Sequence, residues 1–167
     1  MKIRIGISAC LLGQKTRYDG GHQFDDLLAD TFGGFVEWVP ICPEVEYGLP
    51  VPREKMRLEG DPGMPRLVTI ESRFDHTDGM KNWASTKVEQ LEKLNPRGFI
   101  FKGRSPSCGL REVKVYGPDG EMSQGGEGIF AKVFIERFLL IPVEDDERLR
   151  DQAVMDNFIK AINGQVR

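Results

Sequence analysis

Apolar segments with the pattern of strands alternate with amphipathic helical segments along this chain, and this alternation limits the possible folds more than any other feature. Residues 98–102 form a continuous apolar segment, which is typical of a strand buried on both faces of a parallel sheet. We predict a single three-layer, Rossmann-like α/β domain, in which helices cover both faces of a mostly parallel sheet. The predicted strands are residues 3–7, 35–40, 66–70, 98–102, 113–116 and 139–143, and the predicted helices are residues 22–32, 72–94, 127–138 and 144–162.

The length and composition fit one domain with its own hydrophobic core. Of the 167 residues, 40% are hydrophobic and 29% are charged. We expect one domain over residues 1–167, with its motifs in a core at about residues 2–138 and a C-terminal strand and helix at 139–163. Residues 48–65 contain four prolines and three glycines, so they are predicted to form a long connection or flap outside the core.

The net charge and the apolar pattern exclude two classes of partner. A net charge of −3 leaves no excess of positive charge to neutralise a phosphate backbone, so duplex nucleic acid is not an expected partner. The longest apolar runs fall far short of the roughly 20 residues that a membrane helix needs. The first residues also lack the apolar stretch of a signal peptide. We therefore expect a cytoplasmic protein without membrane contacts, of unspecified oligomeric state.

The three cysteines of the chain all follow predicted strands. Cys10 comes after the first strand, Cys42 after the second, and Cys108 follows the continuous apolar strand. Ligands bind at the carboxyl ends of the strands in such folds, so these three side chains are expected at one edge of the sheet. Their wide spacing excludes a zinc ribbon and a short redox pair, and three cysteines cannot form a disulfide framework.

Three converging thiolates can hold a metal centre that keeps one position open. The centre would be a catalytic zinc ion with water as its fourth ligand, or a four-iron cluster in which one iron has no protein ligand. His22 is a candidate fourth ligand, although a surface position is the ordinary alternative for it. A Cys-His hydrolase is another possibility, with Cys108 as nucleophile, His22 or His76 as base and the Gly109 amide in an oxyanion hole. That interpretation leaves the other two cysteines unexplained.

Polar residues beside the cysteines suit the same chemistry. Glu44, two residues after Cys42, is a candidate general acid or base. Ser105 and Ser107, just before Cys108, can donate hydrogen bonds or relay protons. Planar guanidinium groups can hold an anionic part of a ligand. The candidates for substrate binding are Arg17, Arg53, Arg104 and Ser107.

Four sequence blocks occur in order along the chain and together resemble one known family. The blocks are residues 7–13 (ISACLLG), residues 17–22 (RYDGGH), residues 42–44 (CPE) with 48–53 (GLPVPR), and residues 102–109 (KGRSPSCG). This set is similar to the thiouracil desulfidase, or TudS-like, family, and the resemblance extends over about residues 2–138.

The resemblance implies an enzyme with a [4Fe-4S] cluster held by Cys10, Cys42 and Cys108. In that family the fourth iron captures the sulfur of a thiocarbonyl, and water replaces the sulfur at carbon without net electron transfer. The expected substrate is a small thioamide or thiolated nucleobase, and sulfide is released. By motif, the catalytic positions of the family correspond to Glu44 and Ser105. A non-enzymatic iron-sulfur sensor or sulfur carrier is the alternative that would share the same site.

One position departs from the family pattern. Tyr47 stands before Gly48, where many relatives have a second glycine. We expect the tyrosine to narrow the space beside the site.

Overall fold

A computed structural model describes residues 1–164 of the chain. These residues contain eight strands and five helices, with short 3-10 turns at Ala9–Leu12 and Arg148–Arg150. The strands are β1 (Ile3–Ser8), β2 (Val36–Ile41), β3 (Met56–Asp61), β4 (Met64–Thr69), β5 (Gly98–Phe101), β6 (Val113–Tyr116), β7 (Met122–Gly126) and β8 (Val143–Asp145). The helices are α1 (Asp26–Phe32), α2 (Pro43–Tyr47), α3 (Thr77–Leu94), α4 (Ile129–Arg137) and α5 (Gln152–Gly164).

The central sheet is parallel and confirms the predicted fold class. Its strand order is β2-β1-β5-β8, and each neighbouring pair runs in the same direction. In β5, Ile100 packs on one face with α1 and α5, whereas Phe99 and Phe101 pack on the other face with α3 and α4. All three side chains are buried because helices cover both faces, which explains the continuous apolar segment of this strand.

A second sheet, with the strand order β4-β3-β6-β7, lies beside α3 and corrects the prediction for residues 48–65. β3 pairs antiparallel with β4 and parallel with β6. Met56 and Leu58 are buried on this sheet, so this part of the supposed connection belongs to the core. The prediction was wrong because β3 is short and alternating, and its nearby glycines and prolines lie at its ends.

Several predicted boundaries were also wrong. The first helix begins at Asp26, not at residue 22, because the Asp25 carboxylate caps it by accepting from the amide of Leu28 at 3.1 Å. α3 begins at Thr77, five residues later than predicted, since residues 72–76 form the turn that follows β4. The last strand is Val143–Asp145, and α5 follows only from Gln152. The sequence patterns missed α2 and β7.

The helices of the described chain pack around these two sheets. Among residues 1–164, none of the helices is both long and apolar enough to cross a membrane.

Candidate active site

The three cysteines line one cavity of about 400 Å³. Cys10 lies in the 3-10 turn after β1, and Cys42 is the residue immediately before α2. Cys108 lies in the loop after β5. Because β2, β1 and β5 are adjacent and parallel, their carboxyl ends meet at one edge of the sheet. The prediction that the cysteines meet at this edge is confirmed.

Burial raises the pKa of all three thiols. Desolvation is the largest cause in each case, and it raises the pKa of Cys10 to about 11 and that of Cys108 well above its usual value. The pKa of Cys42 is raised for the same reason. Cys42 also raises the pKa of Cys10, and Cys10 and Cys42 both raise that of Cys108, because neighbouring negative charges disfavour ionisation. A bound cationic centre would reverse this preference and stabilise the thiolate forms.

The donor set fits an iron-sulfur cluster better than a single metal ion. Within the described residues 1–164, no three Cys, His, Asp or Glu side chains are arranged to hold one ion. The spacing therefore does not match the catalytic zinc ion considered from the sequence. In a four-iron cluster each cysteine binds a different iron, so its ligands need not converge on one atom.

Glu44, in the first turn of α2, lines the cavity beside Cys42 and is held through both carboxylate oxygens. Arg53 Nε donates to Oε1 at 3.1 Å, and Ser107 Oγ donates to Oε2 at 3.2 Å. The Glu44 side chain is 17% exposed and that of Arg53 only 5%. A carboxylate oxygen has two acceptor positions, so each oxygen can accept one further hydrogen bond.

Arg53 and Ser107, both predicted to bind substrate, contact Glu44; Arg53 also lines the cavity, whereas Ser107 does not. Besides Glu44, Arg53 donates to the Thr16 carbonyl at 2.7 Å and to the Pro50 carbonyl at 3.2 Å. Ser107 is fully buried and lies behind the cavity wall. Both side chains therefore orient Glu44, a role that their sequence positions did not indicate.

Ser105 lines the cavity next to Cys108. Its hydroxyl oxygen accepts from the amide of Ser107 at 3.2 Å and from the amide of Cys108 at 3.0 Å. Both bonds use the oxygen as acceptor, so the hydroxyl retains its own hydrogen as a donor.

Cationic side chains surround the cavity mouth. Arg17 lines it and lies 3.8 Å from Asp19, while Arg104 pairs with Glu147 at 3.1 Å and is largely exposed. Lys102, which directly follows β5, also lines the cavity but was not predicted from the sequence. The rule that placed the cysteines at strand ends would have found it. Other lining residues were missed as well, namely Thr16, Tyr18 and Lys55.

Neither histidine lines the cavity. His22 Nδ1 accepts from the amide of Phe24 at 3.1 Å, and His76 Nδ1 lies 3.1 Å from the hydroxyl of Tyr47. Cys108 therefore lacks the base that the Cys-His hydrolase requires, and His22 is not a fourth ligand. Tyr47 was expected to narrow the site, but its ring packs against His76 and Gly79 instead.

Comparisons with known proteins agree with this site. A sequence model of the 2-thiouracil desulfurase family matches residues 5–146. A solved structure described as the [4Fe-4S]-dependent thiouracil desulfidase TudS is similar to this chain, with 31% identity and a TM-score of 0.70. The similarity covers 93% of this chain and 99% of that chain. A search of curated proteins found no match. The matched residues include all three cysteines and Glu44, and the chain belongs to the 2-thiouracil desulfurase family.

Proposed function

We propose that this protein is a [4Fe-4S]-dependent desulfidase that converts the thiocarbonyl of a small thiolated nucleobase to a carbonyl. In the overall reaction, one water molecule supplies the carbonyl oxygen and both of its protons leave with the sulfur as hydrogen sulfide, so no net electrons are transferred. The observation that carries the proposal is the common cavity of the three cysteines, in which a carboxylate is also held. Family membership and the similarity to a desulfidase of this kind support it.

In this proposal Cys10, Cys42 and Cys108 hold the cluster. Three cysteine ligands leave one iron of a bound cluster free to act as a Lewis acid toward sulfur. The cavity of about 400 Å³ lies within the usual size range of small-molecule sites, which is roughly 300–1,000 Å³. It therefore has room for a flat nucleobase beside the three sulfurs.

Glu44 is the proposed proton acceptor. Water is a poor nucleophile until a base removes a proton, and Glu44 is a carboxylate that lines the cavity beside a proposed cluster ligand. Arg53 and Ser107 restrict its orientation, so the free acceptor positions stay directed to the cavity. Ser105 is the proposed hydrogen-bond donor to the substrate, and Arg17 is a candidate to bind its polar groups.

The direct test is reconstitution under anaerobic conditions. Iron and acid-labile sulfide are measured first, and 2-thiouracil and 4-thiouracil are then added as probes. We expect about four irons per chain, loss of the thiocarbonyl absorbance and an equal amount of released sulfide. A preparation that binds no iron would refute the proposal. A preparation that binds the cluster and releases sulfide from neither probe would support a sensor or sulfur carrier instead.

Two variants separate cluster binding from proton transfer. Cys42→Ser should lose the cluster. Glu44→Gln should keep the cluster spectrum and lower turnover by a factor on the order of 100 or more, the usual size of an acid-base contribution.

Glu59→Gln is the matched control for Glu44→Gln. Glu59 is 18% exposed and pairs with arginines, as Glu44 does, but it lies on β3 away from the cavity. We expect the Glu59→Gln variant to convert substrate at the parent rate at pH 7. If Glu44→Gln also turned over at the parent rate with a full cluster, Glu44 would not be the proton acceptor.

A further inference from the structure

Lys102 presents a positive charge to the same cavity as Cys10. Its side chain is only 16% exposed, so solvent screens the ammonium group weakly. Its backbone amide donates to the buried hydroxyl of Ser8 at 2.8 Å, which ties the residue to the end of β1. The proposed reaction leaves this charge without a role.

Asp146 holds the Lys102 ammonium in place. Lys102 Nζ lies 3.0 Å from Asp146 Oδ2, and the other carboxylate oxygen accepts from the amide of Gly103 at 2.7 Å. Asp146 is itself only 12% exposed and is not among the residues that line the cavity. The pair therefore acts as a fixed dipole whose positive end faces the cavity.

The position of this dipole acts directly on Cys10. Lys102 follows β5 and Cys10 follows the neighbouring strand β1, and both residues line the same cavity. The field of the dipole stabilises negative charge on the Cys10 sulfur when it binds a metal.

We propose that the Lys102 ammonium, oriented by Asp146, offsets negative charge on the Cys10 side of the cluster and thereby raises the cluster's reduction potential. This inference rests on the proposed function, because it assumes that the three cysteines hold a [4Fe-4S] cluster. Net charge near a cluster is one of the factors that set its potential. In a bound cluster, the same positive charge would strengthen the open iron as a Lewis acid.

The test is the midpoint potential of the reconstituted cluster, measured without substrate so that a role of Lys102 in substrate binding does not contribute. Lys102→Met should lower the equilibrium constant of one-electron reduction by about tenfold, which is a shift of about 59 mV to more negative potential. Asp146→Asn should shift the potential in the opposite direction, since the amide still accepts from Gly103 but carries no charge. Lys102→Arg should retain the parent potential.

Lys132→Met is the control for removing one positive charge. Lys132 is half-buried and contacts the Gly63 carbonyl at 3.3 Å, away from the cavity. A Lys102→Met potential equal to that of Lys132→Met, or a shift of the same sign for Lys102→Met and Asp146→Asn, would overturn the inference.

The single variant leaves Asp146 without its cation, so a second comparison covers failure to fold. The double variant Lys102→Met/Asp146→Asn contains no unpaired charge at this position. Its equilibrium constant of one-electron reduction should be about tenfold lower than that of Asp146→Asn alone, which corresponds to a more negative potential. Equal potentials in these two variants would refute the inference. If the parent itself bound no cluster, the proposed function would fail. If the parent were active and only these shifts were absent, this inference alone would fail.

Discussion

Replacing Arg53 with methionine tests whether the arginine positions Glu44. Methionine has a similar length but no hydrogen-bond donors. Glu44 would therefore lose its cationic partner, and the carbonyls of Thr16 and Pro50 would each lose a hydrogen-bond donor. Removing one partner of a buried ion pair costs about 3–5 kcal/mol, because the other charge stays buried. Glu44 keeps the Ser107 bond and 17% exposure, so we expect the lower end, about 3 kcal/mol.

A loss of about 3 kcal/mol is a substantial fraction of the total free energy of unfolding of a domain, which is about 5–15 kcal/mol. For a chain of this size, each 1 kcal/mol lowers Tm by about 2–4 °C, so Arg53→Met should lower Tm by about 6–12 °C. Thermal unfolding of the cluster-free protein, followed by circular dichroism at pH 7, measures the effect without a contribution from the metal.

A double-mutant cycle isolates the ion pair. In the Glu44→Gln background Arg53→Met leaves no carboxylate without its cation, so it should lower Tm by less than it does in the parent background, although the bonds to the Thr16 and Pro50 carbonyls are lost in both. Arg53→Lys, which keeps the charge but loses the planar set of donors, should lie between Arg53→Met and the parent. If Arg53→Met lowered Tm by less than about 2 °C, or equally in both backgrounds, then Arg53 would not hold Glu44 as described.

Two further predictions concern the loop of Cys108 and the second sheet. Gly128→Ala would place a Cβ 2.5 Å from the carbonyl carbon of Ser107 and 2.8 Å from the amide of Cys108, so backbone must move and iron content per chain should fall. The Cβ added by Gly34→Ala has no neighbouring atom within 4 Å, so this variant should bind as much iron as the parent. Equal iron content in both variants would contradict the predicted clash at Gly128. For Glu59, hydrogen bonds from Arg73 hold the pKa at about 2 against an ordinary 4.5. Its stabilisation is therefore present above pH 4.5 and is lost as the pH falls toward 2. Denaturation measures the free energy of unfolding at pH 7 and pH 3. This free energy should fall less between the two pH values in Glu59→Gln than in the parent, and equal falls would disprove the prediction.

The central sheet and the convergence of the cysteines could be predicted because their signals are local. The continuous apolar segment of β5 follows directly from the burial of both faces of that strand. Once parallel strands are inferred, their carboxyl ends share one edge, and residues after them meet whatever their separation in sequence. The resemblance of the four sequence blocks to the desulfidase family then supplied the cofactor and the reaction, which the spacing of the cysteines left open.

The second sheet depended on tertiary structure because β3 joins β4, which follows after a two-residue turn, to β6, which lies far along the chain. β6 lies more than fifty residues beyond it, and no local pattern in residues 56–61 announces that pairing. The short strand and its flanking glycines and prolines looked like a connection when considered alone.

The directions of side chains near the site were likewise decided by packing. A sequence position identifies a residue as near a strand end, but the surrounding backbone determines whether its side chain faces the cavity or the core. Arg53 contacts Glu44 at the cavity wall, Ser107 contacts Glu44 without lining the cavity, and Tyr47 turns toward His76. The sequence alone thus predicted that the three cysteines gather at one edge of the sheet, because the carboxyl ends of parallel strands share that edge. Only the tertiary structure decided which of them face the cavity, because each buried polar group must find its partner in three dimensions.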